Sequence, residues 1–223
     1  MPTWFITGTD TEVGKTIFTG LFGNLLNKKN ITVTTQKWVQ TGNQDHPLDI
    51  TIHDQLIQSA QANNDTIQQC RMPYSFTLPA SAHLAAKEEN KIIDQNKIIQ
   101  SLRYLEKKFN TVLIEGLGGI HVPLTETLTT LDVLEQLKIH TIIIIPNQIG
   151  AINHALLTIE AIANRQIPIS GFIINNINTK TPKQVKQDNP NIIQSLSGIT
   201  CIGSINNMKQ LELSQQFIKQ ELS

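Results

Sequence analysis

Short apolar runs alternate along this chain with longer segments in which apolar residues recur at helical spacing. The runs are rich in Ile and Val and show little alternation of apolar and polar positions, which is typical of parallel strands covered on both faces. They predict strands at residues 3–7, 32–37, 111–115, 141–146, 170–175 and 200–202.

The segments between these runs predict helices. Leu102, Leu105 and Phe109 repeat at helical spacing in one of them, and Ile52, Leu56 and Ile57 do so in another. The predicted helices cover residues 16–27, 48–62, 91–108, 152–164, 182–196 and 209–222. This alternation predicts an α/β fold with a doubly wound, mostly parallel sheet and helices on both faces. In such folds ligands bind at the carboxyl ends of the strands, so polar residues that directly follow a strand are the candidates for a functional site.

Composition and charge narrow the class of protein. The chain has 223 residues, of which 39% are apolar and 16% charged, so we expect one domain over residues 1–223 with a sizeable core. A formal net charge of zero provides no overall field for nucleic acid or an anionic membrane. Cys70 and Cys201 lack the paired spacing of a metal site or a disulfide scaffold. No apolar run approaches the roughly 18 residues of a membrane span, and we expect a cytoplasmic protein without a nucleic-acid or membrane partner.

The first predicted strand leads directly into the loop GTDTEVGKT at residues 8–16 and then into a helix. Loop amides and a helix N-terminus in this arrangement bind phosphate groups. Lys15 can reach the β- and γ-phosphates of a nucleotide, and the hydroxyl of Thr16 can bind Mg²⁺. Five residues separate the two glycines, where the common pattern has four. The nucleotide-binding residues predicted here are Glu12, Val13, Gly14, Lys15, Thr16 and Ile17.

A lysine and a glutamate each end a predicted strand. Lys37, in the segment KWVQTG, needs an anionic partner or solvent at the end of a buried strand. It therefore either faces a bound anion or extends to the edge of the sheet. Glu115 precedes Gly116, Leu117 and Gly118; an acid here holds a metal or orients water in nucleotide-binding folds, and the glycines let the backbone approach a ligand. The alternative for Glu115 is a turn residue without a ligand.

These segments, together with GAINHALLT at residues 150–158, resemble the dethiobiotin synthetase family in order and spacing. The resemblance is strong over residues 4–158 and weaker beyond them. It implies an enzyme that uses ATP and Mg²⁺ to join CO₂ to 7,8-diaminopelargonate and to close a cyclic urea. It also implies a homodimer.

The resemblance further implies residue roles. Lys37 and Lys15 would be catalytic, and Asp54 would join Thr16 and Glu115 as a metal ligand beside ATP, although an isolated helical Asp is more often only solvated. Asn175 and Asn176 match the place where the family reads the adenine base. Substrate contacts map to Thr11, Lys37, Thr41, Gly150, Ala151, Ile152 and Asn153. The last four residues start a helix that, in the family, binds the carboxylate of the substrate in the active site of the partner subunit. Asn153 could instead be only a helix cap.

Two departures from the family pattern keep alternatives open. Trp38 replaces a proline, and Asn206 replaces the proline of an Ile-Pro segment. The alternatives are a degenerate nucleotide-binding module and a partitioning-type regulatory ATPase. Asp10 stands where partitioning ATPases carry a second lysine, which argues against the latter.

Overall fold

The computed structural model describes residues 2–42, 48–58, 64–177 and 180–222. The strands are β1 (Trp4–Gly8), β2 (Val33–Lys37), β3 (Val39–Gln40), β4 (Tyr74–Ser75), β5 (Thr111–Glu115), β6 (His140–Pro146), β7 (Ile169–Asn175), β8 (Cys201–Asn207) and β9 (Gln210–Leu213). Seven of them form one sheet in the order β2-β5-β1-β6-β7-β8-β9, and β3 pairs with β4. Only β9 runs antiparallel to its neighbour in the large sheet.

The helices within the described residues are α1 (Lys15–Lys28), α2 (Leu48–Ile57), α3 (Asp65–Arg71), α4 (Ala82–Glu88), α5 (Gln95–Glu106), α6 (Thr130–Leu137), α7 (Ala151–Asn164), α8 (Lys183–Ser197) and α9 (Gln215–Glu221). All the strands predicted from sequence are present, and the α/β fold with a mostly parallel sheet is confirmed. The predicted helix over residues 48–62 is helical to Ile57, and residues 59–62 lie outside the described residues.

The predicted helix over residues 209–222 is wrong in its first part. Residues Gln210–Leu213 form β9 and pair with β8, and the helix begins only at Gln215, where Ser214 accepts a hydrogen bond from Phe217 N. Gly203 of β8 makes the pairing possible, because a Cβ there would lie 2.1 Å from the carbonyl oxygen of Glu212. A contact between strands thus overrides the local helical pattern. The short helices α3, α4 and α6 and the pair β3–β4 were not predicted.

The strands β1, β2 and β5 are buried on both faces, as their unalternating sequences predicted, whereas β8 and β9 are partly exposed. Every residue of β1 and β5 is buried. Phe5, Ile114 and Leu102 belong to the apolar cluster on one face, and Trp4 and Phe22 to the cluster on the other. The strands therefore hold their carboxyl ends, where the polar residues lie, in fixed positions.

The register of three neighbouring strands brings the predicted polar residues together. In the β2–β5 pairing Lys37 lies opposite Glu115, and in the β1–β5 pairing Ile6 lies opposite Glu115. The loop at residues 9–14 starts where β1 ends. Residues far apart in the sequence thus share one edge of the sheet.

Helix α2 packs closely on α1 because two glycines face it. A Cβ on Gly20 would lie 2.6 Å from the Leu56 side chain, and one on Gly23 would lie 2.8 Å from that of Ile57. Asn24 Nδ2 also donates to the Leu56 carbonyl oxygen at 2.6 Å. These contacts fix the face that α2 presents to the sheet edge.

Trp38 fixes the segment after Lys37 by packing into the core, whereas a proline would restrict the backbone. Its side chain is buried, its ring centroid is 4.9 Å from that of Phe5, and its Nε1 donates to Gln36 Oε1 at 3.1 Å. The following residues form β3, which pairs with β4. Core packing therefore fixes the segment after Lys37 without the restricted backbone of a proline.

Candidate active site

A cavity of about 330 Å³ opens at the carboxyl edge of the sheet. Its lining includes one residue that sequence analysis missed, Asp49 of α2. The predicted residues that line it are Thr11, Glu12, Gly14, Lys15, Thr16, Ile17, Lys37, Glu115, Leu117 and Gly118.

The glycines of the loop at residues 8–16 are required by its shape. Gly14 caps α1 with a φ of 102°, and a Cβ there would lie 2.4 Å from Asn175 Nδ2. A Cβ on Gly8 would lie 2.4 Å from the Val13 side chain. Val13 itself is buried, and its carbonyl oxygen accepts a hydrogen bond from Asn175 Nδ2 at 2.8 Å. The loop is thereby held in a turn that leads into the helix N-terminus, where backbone N–H groups bind anions.

Lys15 is an almost fully buried ammonium group at this helix start. Its Nζ donates to the carbonyl oxygen of Asp10 at 2.8 Å, within its own loop. Burial lowers the pKa of Lys15 to about 8, and the nearby charge of Lys37 acts in the same direction, against the opposing effect of Glu115. A phosphate group in the cavity would give this lysine a directly bonded anion in place of a neutral carbonyl oxygen.

Lys37, Thr16 and two carboxylates form a compact cluster. Glu115 Oε1 accepts hydrogen bonds from Lys37 Nζ at 2.8 Å and from Thr16 Oγ1 at 3.0 Å. Asp49 lies 2.9 Å from Lys37 Nζ through Oδ2 and 3.2 Å from Thr16 Oγ1 through Oδ1. Lys37 Nζ also donates to the Gly116 carbonyl oxygen at 3.2 Å. Lys37 thus faces anionic partners, and its side chain is buried and does not extend into solvent.

Burial and charge oppose each other in this cluster, and charge prevails. Burial by itself would raise the pKa of Glu115, but the charge of Lys37 and the hydrogen bond from His53 outweigh it and hold that pKa well below its usual range. Burial would likewise lower the pKa of Lys37, but Glu115 and Asp49 raise it above its ordinary value. Both groups are therefore charged at neutral pH.

Asp54, predicted to be a metal ligand, lies apart from this cluster. Its carboxylate pairs with the buried Arg71, with Oδ1 at 2.5 Å from Nη2 and Oδ2 at 3.0 Å from Nη1. At about 100° per residue, Asp54 points some 140° away from Asp49 around α2. The helical phase therefore turns Asp49 towards Thr16 and Asp54 towards α3.

His53 is a second residue that sequence analysis missed. It follows Asp49 by four residues and so shares its helix face. Its fully buried ring places Nε2 2.7 Å from Glu115 Oε2. The signal in the sequence is the i, i+4 spacing of Asp49 and His53, which is informative only once the phase of α2 is known.

The remaining predicted residues do not line the cavity. Thr41 follows β3, and its carbonyl oxygen accepts from Gln40 Nε2 at 3.1 Å. Asn176 Nδ2 donates to Asn206 Oδ1 at 3.0 Å, which joins the ends of β7 and β8. Gly150 caps α7 with a φ of 88°, and the helix runs on from Ala151 through Ile152 and Asn153.

The oxygen groups of Thr16, Asp49 and Glu115 have the chemistry that Mg²⁺ prefers. Among the described residues no group of three or more His, Cys, Asp or Glu side chains could hold a metal alone. A hydroxyl with two carboxylates suits an ion that keeps several waters and shares phosphate oxygens. The donor set thus fits Mg²⁺ carried with a nucleotide, and does not fit an all-protein metal cage.

Solved structures show the fold, and a family model and the phosphate-binding loop together indicate the class of protein. The structure resembles a ParA family ATPase from Chlorobium tepidum, with a TM-score of 0.56 and 14% identity over 93% of this chain and 85% of that one. The septum site-determining protein MinD from Pyrococcus horikoshii, complexed with Mg-ADP, gives a TM-score of 0.56 and 16% identity over 93% and 82% of the two chains. A family model described as an AAA domain matches residues 2–215. With the loop, lysine and threonine described above, the fold is that of a P-loop nucleoside triphosphatase.

Curated relatives identify the family within this class. An ATP-dependent dethiobiotin synthetase from Haemophilus influenzae is 39% identical over 171 residues, which cover 77% of this chain and 89% of the relative. One from Halalkalibacterium halodurans is 34% identical over 204 residues, or 91% and 83% of the two chains. The chain belongs to the ATP-dependent dethiobiotin synthetase family, which confirms the resemblance found in the sequence. Within the residues that the structure describes, no helix has the length and apolarity needed to cross a membrane.

Proposed function

We propose that this protein closes the ureido ring of dethiobiotin from 7,8-diaminopelargonate, CO₂ and ATP, with Mg²⁺. The observation that carries the proposal is the cluster of Lys37, Thr16, Asp49 and Glu115 at the mouth of the phosphate-binding loop, in a chain of this family. We also propose that the chain acts as one domain over residues 1–223 in the cytoplasm.

The loop at residues 8–16 and the start of α1 would bind the phosphates of ATP. Lys15 would exchange the Asp10 carbonyl oxygen for the β- and γ-phosphates, a partner with full negative charge. Thr11, Glu12, Leu117 and Gly118 line the cavity beside them. Asn175, already bonded to the loop through Val13, would place its amide near the base together with Asn176.

The first chemical difficulty is bringing two anions together. One amine of the substrate captures CO₂ as a carbamate, whose oxygen then attacks the γ-phosphorus and expels ADP. Carbamate and γ-phosphate at 4 Å repel by about 4 kcal/mol for each pair of unit charges at an effective dielectric of 20. Lys37, held between Glu115 and Asp49, and Lys15 would offset this repulsion and stabilise the charge that builds up in the transition state.

A bound Mg²⁺ would supply further positive charge to the phosphates, and Thr16, Asp49 and Glu115 would hold it. The structure supports Asp49 in this set in place of Asp54.

The second amine then attacks the carbonyl carbon of the mixed carbamic-phosphoric anhydride and expels inorganic phosphate. Ring closure is intramolecular once both nitrogens are held in one pose, which removes the cost of bringing two reactants together. Thr11, which lines the cavity, and Thr41, which follows β3, would contact the substrate. No residue of the cluster needs to form a covalent intermediate.

We propose that the working form is a homodimer. Gly150, Ala151, Ile152 and Asn153 do not line the cavity of their own chain. They begin α7, whose N-terminal amides would bind the carboxylate tail of the substrate in the partner subunit. The exposed apolar side chains of Ile149 and Leu157, near and on this helix, support a contact between subunits.

The test is phosphate release from Mg·ATP and bicarbonate, measured with and without 7,8-diaminopelargonate, with the cyclic urea followed by mass spectrometry. Diamine-dependent phosphate release matched by dethiobiotin is the expected result. ATP hydrolysis that ignores the diamine would instead favour a partitioning-type ATPase, since the chain shares its fold with ParA and MinD proteins. ATP binding without turnover would favour a degenerate module.

A further inference from the structure

His53 is a buried polar residue behind Glu115, outside the cavity lining, and the chemistry above does not use it. Its ring has no solvent exposure, and it lies between α2 and the end of β5. Nε2 is 2.7 Å from Glu115 Oε2. Nδ1 has no hydrogen-bond partner among the described residues.

The hydrogen bond between these residues has a defined direction. Glu115 forms an ion pair with Lys37, whose Nζ lies 2.8 Å from Oε1, and the carboxylate of an ion pair can only accept hydrogen bonds. Nε2 therefore carries the proton and donates it to Oε2. A buried nitrogen without a partner, as at Nδ1, is unfavourable, and an apolar side chain of similar size would avoid that cost. A packing role between α2 and β5 therefore does not account for a histidine at this position, whereas a hydrogen bond to Glu115 does.

The two oxygens of Glu115 have separate partners as a result. Oε2 is bonded to His53, and Oε1 is bonded to Lys37 and Thr16. Without the bond from His53, the carboxylate could rotate about its last torsion, which is a soft one. The bond from His53 resists this rotation and keeps Oε1 directed at Thr16.

We propose that His53 is a positioning residue that orients the Glu115 carboxylate towards Thr16 and the metal–nucleotide complex. The inference rests on the proposed function, because it assumes that Glu115 helps to hold Mg²⁺ with ATP. Groups that orient metal ligands typically change metal affinity by about 10–100-fold when removed. His53 would thus strengthen the response of nucleotide binding to Mg²⁺ and would leave metal-free nucleotide binding unchanged.

The experiment compares nucleotide binding with and without metal in the full chain. A fluorescent N-methylanthraniloyl-ATP is titrated in Mg²⁺ and in EDTA. The dissociation constant in EDTA divided by the dissociation constant in Mg²⁺ gives the metal response. In His53→Leu we expect the ratio to fall about 10-fold, with the dissociation constant in EDTA unchanged. This split would not result from a general loss of packing, which would weaken both.

Two conservative variants form a matched pair. The amide nitrogen of Gln reaches the position of Nε2, whereas that of Asn lies near the position of Nδ1 and falls short of Glu115. His53→Gln should therefore keep the metal response, and His53→Asn should lose it. This pair decides the question even if His53→Leu does not fold.

Three results would overturn the inference. An unchanged ratio in His53→Leu would show that the bond does not orient Glu115 for the metal. Equal behaviour of the Gln and Asn variants would show that the bond at the Nε2 position is not what matters. A wild-type protein whose ATP affinity does not depend on Mg²⁺ would overturn both this inference and the proposed metal site. If the wild-type protein shows diamine-dependent turnover but the ratio in His53→Leu is unchanged, only this inference is overturned.

Discussion

Glu115 is the residue on which the site converges, because Lys37, Thr16 and His53 all bond to its two oxygens. The sequence predicted its position at the end of a buried strand, and it predicted that of Lys37 as well. The sequence could not identify the second acid beside Thr16, since Asp49 and Asp54 both lie on one predicted helix. Only the phase of α2 distinguishes them.

A matched pair of substitutions separates these two acids. Asp49→Asn should abolish most of the Mg²⁺ dependence of ATP binding and turnover, because it removes a charged oxygen beside Thr16. Asp54→Asn should keep that dependence but lower the free energy of unfolding by roughly 1–3 kcal/mol, because the buried Arg71 loses a charged partner. Nucleotide titrations and urea denaturation of both variants check this; a loss of Mg²⁺ dependence in Asp54→Asn would instead favour Asp54, the acid predicted from sequence.

The pKa of Lys15 predicts a pH dependence of ATP affinity. Below pH 8 the ammonium is charged and binds phosphate, and above it the group loses its charge, since burial lowers its pKa to about 8. Bound phosphates would raise that pKa, so binding near pH 8.5 should take up protons, and affinity should fall as the pH rises from 7 to 9.5. Calorimetry in buffers of different ionisation enthalpy measures the uptake. Lys15→Arg is the control, because its guanidinium stays charged and should make the affinity independent of pH in this range.

At the scale of elements, α2 illustrates how packing places a site. Its distance from α1 depends on Gly20 and Gly23, and its phase sends Asp49 and His53 towards the strand ends. The alternation of strands and helices was predicted well, because it follows from local apolar pattern. The strand β9 was not, since its pairing with β8 depends on a contact that the segment by itself does not encode.

Gly23→Ala should disturb the α1–α2 contact. The added Cβ would lie 2.8 Å from Ile57, and overpacking of this kind costs about 1–3 kcal/mol. Ile57→Ala removes the atoms that the new methyl group would meet, so the double variant should be more stable than the sum of the single changes predicts. Denaturant unfolding of the four proteins measures the coupling, and strict additivity would contradict the proposed contact.

At the scale of the whole molecule, the site as proposed is complete only in a dimer. The cavity of one chain is lined by the phosphate loop, Lys37 and the acids, whereas the residues that would bind the substrate carboxylate begin α7 outside it. The exposed fraction of Leu157 on that helix is 58%, which is large for an apolar side chain.

Leu157→Asp should convert a dimer into a monomer, because it places a charge in the proposed apolar contact. Light scattering measures the mass of both proteins, and we expect the KM for the diamine to rise while ATP affinity stays unchanged. Leu196→Asp, at an exposed apolar position on α8, is the control and should stay dimeric. A wild-type protein that is strictly monomeric would contradict the shared carboxylate site.

The sequence alone determined the fold class, the phosphate-binding loop and the two strand-ending residues Lys37 and Glu115, because each depends on a local pattern. Such local patterns predict the same structure however the rest of the chain packs. They are here a run of apolar residues, a glycine-bounded loop and a charged residue at the end of a strand. The tertiary structure decided what depends on distance and angle between elements. It placed Asp49 and not Asp54 beside Thr16, brought His53 to Glu115 and paired β9 with β8. These outcomes depend on helix phase, close approach at glycines and strand register, which are properties of the packed chain and not of any one segment.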